Sequence, residues 1–334
     1  MSPLAFEPRV GVLEQLHDFV AGSRRLLVLT GAGVSTESGI PDYRSPGGAY
    51  SKGYKPMIHQ DFVRSLSARR RYWARSFIGW RRFSAARPGT AHRALARLHA
   101  RGRLEGGIIT QNVDRLHHIA GSPALELHGT THEVVCMECG DISCRRIFQE
   151  RIKGANPEWA AAVEHLEEGK PAGSDESFGM RRRQQRIVES GSADSGMSER
   201  ELMGMRRRPD GDIEISEEEW ERHGEFVVPS CGACGGVLKP NVVLFGDNLP
   251  PARNQEAARM MSSAESLLVV GSSLMVLSAF RIASQCVHEG KPLALLAVGP
   301  NRADGIAQIK IEARCGEVLS RLVASGSLDV PAAI

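Results

Sequence analysis

The stretch LLVLTGAGVSTESGIPDYRS, Leu26–Ser45, decides the fold. It begins as an unbroken apolar run, breaks at Gly31 and Gly33, and continues through small and polar residues such as Asp42. This predicts a buried strand that ends in a turn where backbone N–H groups approach an anionic ligand closely. The full dinucleotide fingerprint is incomplete, because Thr36 stands where its third glycine would be. As a plain strand-to-helix turn, the same pattern would need no ligand.

The composition and charge are those of an ordinary globular protein. The 334 residues suffice for one sizeable core and a smaller module, with 42% hydrophobic and 24% charged residues. The net charge of +3 is too small to favour a nucleic-acid partner, and no apolar run reaches the length of a membrane span. Helical apolar spacing that starts at Val10 argues against a secretory signal. We expect a bacterial-type cytoplasm as the compartment, with the mitochondrial matrix as the alternative.

Unbroken runs of Val, Leu and Ile alternate with helical patterns along the chain. Such runs are typical of parallel strands covered on both faces, so the sequence predicts a Rossmann-like, doubly wound α/β domain. The predicted buried strands are Leu26–Leu29, Gly107–Thr110, Val242–Phe245, Leu267–Val270 and Leu293–Val298. The predicted helices include Ala91–Ala100, Pro251–Ser262 and Ala279–Val287.

Four of the seven cysteines form two C-x-x-C pairs, the ligand spacing of a zinc site. The odd cysteine count fits a reducing compartment better than a disulfide framework. Four thiolates leave no coordination position for water, so the metal is predicted to be structural. The competing explanation is a set of reduced cysteines without metal. The predicted ligands are Cys136, Cys139, Cys231 and Cys234.

The amino-acid composition changes between the two cysteine pairs. Residues 167–211 hold many Ser and Gly residues, two Arg triplets and almost no apolar periodicity. Such a segment buries too little apolar surface to offset the entropy of ordering it, so we predict a disordered insertion. The alternative is that its Arg triplets bind an acidic partner or a nucleic acid. We expect residues 1–130 and 237–325 to form the sheet domain and residues 131–236 a small zinc-binding module.

Polar side chains follow the predicted strand that ends at Thr110. Gln111, Asn112 and Asp114 would lie at the carboxyl end of the sheet, where open α/β sheets bind ligands. Amide and carboxylate groups there suit a ribose or a carboxamide. Capping of the next helix would explain one of these side chains, but not all three.

His128, in the sequence ELHGT, is a candidate catalytic residue because it lies between this polar strand end and the first cysteine pair. A single histidine is more often structural than catalytic, so the setting carries the prediction. His117 and His118 are rival candidates on the following helix, where packing or solvent accounts for them.

Taken together, these motifs resemble the sirtuins, the family of NAD-dependent protein-lysine deacylases. Similarity to the sirtuin-4 type and its bacterial relatives is carried by STESGIPDYRS and RRRYWARSFIGW, whereas the long insertion departs from that group. The motifs occur in family order over most of residues 1–325: GAGVSTESGIPDYRS, TQNVDRLH, HGT, the two C-x-x-C pairs, KPNVVLFGD and GSSLMV.

The resemblance implies that NAD is the cosubstrate. Ile40, Asn112, Val113 and Asp114 would form the nicotinamide pocket. One position departs from the family, because Ala297 replaces an Asn that holds the adenosine ribose, a loss of about 1 kcal/mol of binding. The implied NAD-binding residues are Gly31, Ala32, Gly33, Ser35, Ile40, Asp42, Tyr43, Arg44, Gln111, Asn112, Val113, Asp114, Gly271, Ser272, Ser273, Ala297, Val298, Gly299 and Cys315.

The implied reaction moves an acyl group from lysine to ADP-ribose and releases nicotinamide. His128 would act as the general base on a ribose hydroxyl, with Asn112 and Asp114 completing the catalytic set. Two alternatives stay open: mono-ADP-ribosyl transfer to an amino-acid acceptor, and a NAD-sensing module without turnover.

The implied substrates are acyl-lysine proteins or peptides, bound between the zinc module and the sheet domain. Val243, Phe245 and Gly246 would offer a backbone edge to the peptide by strand addition. Tyr72 and Arg75 have the spacing by which one sirtuin type binds acidic acyl chains, so glutaryl or succinyl groups are expected. The alternative is that Arg75 is a surface residue of an Arg-rich helix.

Overall fold

The computed structural model describes residues 10–46, 48–53, 55–168, 205–207, 213–215, 217, 220 and 225–324. The strands are β1 Leu26–Thr30, β2 Gly107–Thr110, β3 Leu125–Glu126, β4 Gly129–Cys136, β5 Ile142–Cys144, β6 Met205–Arg207, β7 Ile213–Ile215, β8 Leu238–Val242, β9 Ser266–Val270, β10 Leu293–Leu296 and β11 Ile309–Ile311. The helices are α1 Val10–Ala21, α2 His59–Arg64, α3 Leu66–Ala85, α4 Thr90–Ala100, α5 Leu116–Ile119, α6 Arg145–Ala155, α7 Pro157–Glu168, α8 Pro251–Ser263, α9 Leu277–His288 and α10 Cys315–Ala324.

The main sheet has six parallel strands among the described residues, in the order β11-β10-β9-β1-β2-β3. All residues of β1, β9 and β10 are buried, as expected for strands covered on both faces. Helices α1, α4 and α10 pack on one face, and helices α8 and α9 on the other. The predicted doubly wound α/β domain is therefore confirmed.

A second, antiparallel sheet has the order β5-β4-β8. It packs against α3, α6 and α7 in a separate core that contains Trp73, Phe148 and Trp159. The indole Nε1 of Trp73 donates a hydrogen bond of 3.1 Å to the carbonyl oxygen of Leu238. This contact joins the long helix α3 to the strand that follows the second cysteine pair.

The prediction of a main-sheet strand at Val242–Phe245 is wrong. Val242 instead ends β8, which pairs antiparallel with β4, and Phe245 forms an isolated parallel bridge with Ile58. The apolar run is divided because Val242 and Leu244 are buried in the second core, whereas Phe245 is 41% exposed. One continuous apolar run therefore lies partly in the second core and partly at the surface.

The edges of the predicted insertion are ordered. Glu167 and Glu168 belong to α7, and β6 pairs antiparallel with β7. Residues 169–204 and 208–212, on which the rest of that prediction falls, lie outside the described residues. The division into residues 1–130 with 237–325 and residues 131–236 stays a proposal. In the part of the chain that the structure describes, no helix is long and apolar enough to cross a membrane.

Candidate active site

The turn after β1 packs directly against the end of β9. The N–H of Gly31 donates to the carbonyl oxygen of Val270 at 3.1 Å, and that of Gly33 to Gly271 at 2.8 Å. A Cβ on Gly33 would lie 2.8 Å from the same Gly271 oxygen, so a larger residue does not fit. The glycines thus bring two strand ends together, and the short 3-10 turn Ala32–Val34 follows at the carboxyl edge of the sheet.

The polar residues after β2 are tied to this turn. The Asn112 amide Nδ2 donates to the Gly31 carbonyl and to the Ser35 hydroxyl, both at 3.0 Å. Ser35 in turn donates to Asp114 Oδ2 at 2.7 Å. The other Asp114 oxygen accepts from the backbone N–H of Leu116 at 2.9 Å. Capping of α5 therefore accounts for only one of the two carboxylate oxygens.

Gln111 connects the same loop to β9. Its side-chain Nε2 donates to the Ser272 hydroxyl at 2.7 Å, and its backbone carbonyl faces His128. Val113 contributes to the second core, and its carbonyl accepts from the Thr131 N–H at 3.1 Å. The loop that follows β2 therefore contacts both parts of the protein.

His128 follows β3 and lies between a carbonyl and a hydroxyl. Its Nδ1 is 3.1 Å from the Gln111 carbonyl oxygen, and its Nε2 is 2.9 Å from Ser278 Oγ on α9. Burial lowers the pKa of His128 below its usual 6.5, and the nearby Arg253 lowers it further. Because the Gln111 carbonyl only accepts, the neutral ring carries its proton on Nδ1 and offers the Nε2 lone pair, as a base must.

The two rival candidates, His117 and His118, have other contacts. His117 is buried with its Nε2 2.9 Å from the Thr30 hydroxyl, and burial lowers its pKa to about 3. His118 is half-exposed, 3.9 Å from Glu126. Neither ring reaches the loop formed by Gln111 and Asn112 through a described hydrogen bond.

The Asp42-Tyr43-Arg44 segment forms a loop beside the site. Asp42 Oδ1 accepts from the backbone N–H of Arg44 at 3.0 Å, which holds the turn. The Tyr43 ring lies 5.5 Å from the Tyr50 ring, and the Arg44 guanidinium lies 5.2 Å above the same ring. The Ile40 N–H donates to the Ser35 carbonyl, which joins the loop to the glycine turn.

The remaining predicted NAD-binding residues line the same edge of the sheet. The Ala297 N–H donates to the Ile311 carbonyl, and Val298 is 57% exposed. Cys315 begins α10, and burial raises the pKa of its thiol to about 12, so it is a neutral packing residue. The structure brings these positions together beyond the ends of β9 and β10: Gly271, Ser272, Ser273, Ala297, Val298, Gly299 and Cys315.

Tyr72 and Arg75 lie on one side of α3, one turn apart. Tyr72 packs edge-on against Phe62 at 5.4 Å. Burial raises its pKa to about 12, while the guanidinium groups of Arg145 and Arg75 oppose this rise. Arg145 is only 1% exposed and lies over the Trp80 ring at 4.7 Å. Two cationic groups therefore act on the Tyr72 hydroxyl.

The predicted peptide edge begins beside His128. The Val243 N–H donates to the His128 carbonyl at 2.9 Å, which fixes the segment to the site. Phe245 is 41% exposed, and its carbonyl accepts from the His59 N–H at 2.8 Å. Gly246 has a φ of +79° and ends the segment.

The four predicted metal ligands converge. Their sulfur atoms all lie within 4.8 Å of one another, with 3.5 Å between Cys136 and Cys234 and 3.8 Å between Cys139 and Cys231. A tetrahedral ZnS₄ site with bonds of 2.3 Å requires sulfur separations of about 3.8 Å. The residues therefore fit a structural zinc ion. All seven cysteines of the chain are free of disulfides.

Two features of the site were missed by sequence reasoning. The first is Ser278, which contacts the imidazole although it lies 150 positions away in the sequence. The one sequence feature that could have indicated it is its position at the start of a helix that follows a strand end. The second is a half-buried cluster of charged side chains around Arg115. Glu126 lies 3.8 Å from Arg115 Nε, and Glu133 accepts from Arg115 Nη2 at 2.5 Å and from Asn241 at 2.8 Å.

Comparison with known proteins gives consistent matches. A family model described as the Sir2 family matches residues 31–278. The NAD-dependent protein deacylase SRT2 of Arabidopsis thaliana is 50% identical over 330 residues, which are 99% of this chain and 81% of that protein. The mitochondrial NAD-dependent protein lipoamidase sirtuin-4 of Bos taurus is 42% identical over 310 residues, 92% of this chain and 84% of that protein.

A solved structure of Sir2 with a p53 peptide and NAD⁺ matches with a TM-score of 0.64 and 26% identity, and the match covers 95% of this chain and 99% of that one. The family match extends over the glycine turn, the histidine and all four cysteines. The geometry of the sheet edge and of the thiol cluster agrees with it. The chain therefore belongs to the Sir2 family, the sirtuins, which are NAD-dependent protein deacylases.

Proposed function

We propose that this chain removes acyl groups from lysine side chains of proteins, with NAD as the cosubstrate and His128 as the general base. The observation that carries the proposal is the imidazole of His128, held through Nδ1 so that Nε2 is its proton-accepting nitrogen, beside a loop of amide and carboxylate groups. The four thiols would hold a zinc ion whose role is to join the two halves of the second module.

NAD, when bound, would supply the electrophilic glycosidic carbon of the reaction, with nicotinamide as its leaving group. The chain's own residues do the rest. Asn112 and Asp114, fixed through Ser35, line the pocket where the nicotinamide end would bind. His128 takes a proton from a ribose hydroxyl onto Nε2, while the Gln111 carbonyl stabilises the N–H at Nδ1. Such general-base help is typically worth about 10²–10⁴ in rate.

The test is incubation with NAD and a panel of acylated peptides, followed by assays of nicotinamide and of the peptide mass. His128→Ala is expected to abolish loss of the acyl group and to leave the thermal unfolding of the protein unchanged. Full turnover by this variant would remove His128 from its role. A peptide that gains ADP-ribose instead of losing its acyl group would favour the alternative transferase activity.

Within this activity, we propose a preference for acidic acyl groups such as glutaryl or succinyl. Arg75 lies on α3 one turn after Tyr72, and the buried Arg145 donates from Nη2 to Ser76 Oγ on the same helix at 3.1 Å, so two positive charges lie along α3 beside a mostly apolar core. A carboxylate would neutralise this charge with bidentate geometry.

Peptides bearing acetyl-, succinyl- and glutaryl-lysine separate this preference from general deacylation. Arg75→Ala is expected to lower kcat/KM for the acidic acyl groups at least tenfold more than for acetyl. Arg71→Ala, an exposed arginine of the same helix, is the matched control and should change neither. An unchanged preference in Arg75→Ala would contradict the proposal while leaving deacylation intact.

The compartment also belongs to this proposal. A reducing environment, either a bacterial-type cytoplasm or a mitochondrial matrix, would keep the four thiols available for metal. A fluorescent fusion of the full chain, together with fractionation, distinguishes these two.

A further inference from the structure

Ser278 is the one residue of α9 described in contact with the imidazole of His128. It is the second residue of that helix and half-buried, and its Oγ lies 2.9 Å from Nε2. The other ring nitrogen is 3.1 Å from a carbonyl oxygen, which cannot donate. In the neutral ring Nδ1 is therefore the donor, and the Ser278 hydroxyl must donate its proton to Nε2.

We propose that Ser278 is a positioning residue that occupies the proton-accepting nitrogen of His128 until the ribose hydroxyl of the cosubstrate replaces it. The inference rests on the proposed function, because it concerns the base of that reaction. The exchange keeps the number of hydrogen bonds to Nε2 constant: the contact from the serine hydroxyl breaks as the contact from the ribose hydroxyl forms. No base nitrogen is then left buried and unpartnered at either stage.

The surroundings allow this exchange. Ser278 lines a small cavity between α8 and α9 together with Leu127, Ala257 and Ile282. A turn about its Cα–Cβ bond would take the hydroxyl away from the imidazole, and the cavity leaves space beside the side chain. The serine thus has room to withdraw when the sugar enters.

The charged and polar groups that face His128 come from four elements. The loop after β2 presents the Gln111 carbonyl, and α9 presents Ser278. Arg253 acts on the ring from α8, and the Val243 N–H holds the His128 carbonyl from the segment after β8. Among these, the serine hydroxyl is the group in contact with Nε2. A hydroxyl can donate to the neutral ring and accept from the protonated one, so its loss is read most directly at Nε2 of the neutral ring.

The first experiment titrates the His128 imidazole by NMR in the free, zinc-loaded full-length protein, without NAD or peptide. The signal is assigned by its loss in His128→Gln. In the neutral ring, Ser278→Ala is expected to move the nitrogen chemical shift of the unprotonated Nε2 downfield, because that nitrogen loses its hydrogen-bond donor. Ser278→Thr keeps the hydroxyl and should restore the wild-type value. Ser320→Ala, which removes a helix hydroxyl on α10, should leave it unchanged.

An unaltered Nε2 shift in a folded Ser278→Ala protein would overturn the proposal. Because no substrate is present, this result stands whether or not deacylation is observed. A failure of the proposed function alone would instead leave the Nε2 shift changed but the protein without turnover.

The second experiment separates the free enzyme from the complex. The acid limb of kcat/KM for NAD reports the free enzyme, and that of kcat reports the bound state. In Ser278→Ala the limb of kcat/KM should move while that of kcat stays in place, because the serine contacts the imidazole only in the free enzyme. Equal movement of both limbs would contradict replacement by the ribose hydroxyl.

Discussion

At the scale of single residues, Ala297 offers a test of the proposed NAD site. It is 6% exposed and lies just beyond the end of β10, where its N–H is used by Ile311 but its side chain offers no polar group. We expect Ala297→Asn to strengthen NAD binding by about 1 kcal/mol, the value of one hydrogen bond.

Isothermal titration with NAD measures this change. Ala303→Asn, at a buried position of the other core, is not a suitable control because it would disturb packing. Replacing Ala297 by Ser, which is shorter, is a better control and should give a smaller gain. Weaker binding by Ala297→Asn would show that this position does not face the ribose.

A second prediction at this scale concerns Glu126. Its Oε1 is buried without a described hydrogen-bond partner, and burial raises its pKa from 4.5 to about 7 despite Arg115. Between these two values the unfolded chain binds fewer protons at this site than the folded one, so stability falls as pH rises through the window. Glu126→Gln does not titrate and avoids that loss.

Thermal unfolding of the two proteins at several pH values between 4.5 and 7 provides the measurement. The melting temperature of Glu126→Gln relative to wild type should increase as pH rises and level off above about 7. A difference independent of pH would mean that Glu126 has an ordinary pKa in the folded state.

At the scale of elements, Gly129 connects the main sheet to the second sheet. It follows His128, begins β4 and has a φ of +81°. A Cβ there would overlap the carbonyl oxygen of Asn241 in the neighbouring strand β8. We expect Gly129→Ala to cost at least about 3 kcal/mol of unfolding free energy, from backbone strain and from this clash.

Gly121→Ala is the matched control for this variant. Gly121 also has a positive φ, +89°, but a Cβ there would meet nothing within 4 Å. It should lose only about 1–2 kcal/mol, the strain of the left-handed backbone. Equal losses in the two variants, measured by denaturant unfolding, would remove the clash from the explanation.

Whether the bounds of a strand could be predicted depended on whether the whole apolar run lies in one environment. Strand β2 was predicted with its observed bounds, because every residue of such a run has one apolar environment. Val242–Phe245 was misread because two environments share one run, which periodicity alone does not reveal. The contact between His128 and Ser278 joins residues 150 positions apart, so no local pattern contains it. The cysteine spacing, in contrast, encodes its chemistry directly.

At the scale of the whole molecule, the four-thiol cluster is expected to govern stability. It joins the turn after β4 to the turn before β8, two segments that no disulfide connects. Removal of zinc by a chelator should lower the unfolding free energy by at least about 3 kcal/mol, because the binding energy of a structural zinc is folding energy. Re-addition of zinc should restore it.

The matching variants are Cys139→Ser, which removes a ligand, and Cys144→Ser, which removes an exposed thiol outside the cluster. Metal content measured by mass spectrometry should fall only in the first. Loss of zinc from both variants would mean that the Cys144 thiol also takes part in metal binding. Retention of zinc in both would contradict the assignment of Cys139 as a ligand.

The pairing of β4 with β8 has a consequence for the chain length between them. The segment between Cys136 and Cys234 carries β5, α6 and α7, and its two ends meet with 3.5 Å between the sulfur atoms. Extra length between α7 and β6 costs only a logarithmic amount of closure entropy. A foreign domain grafted between α7 and β6 would therefore leave the second core and the carboxyl edge of the main sheet in place.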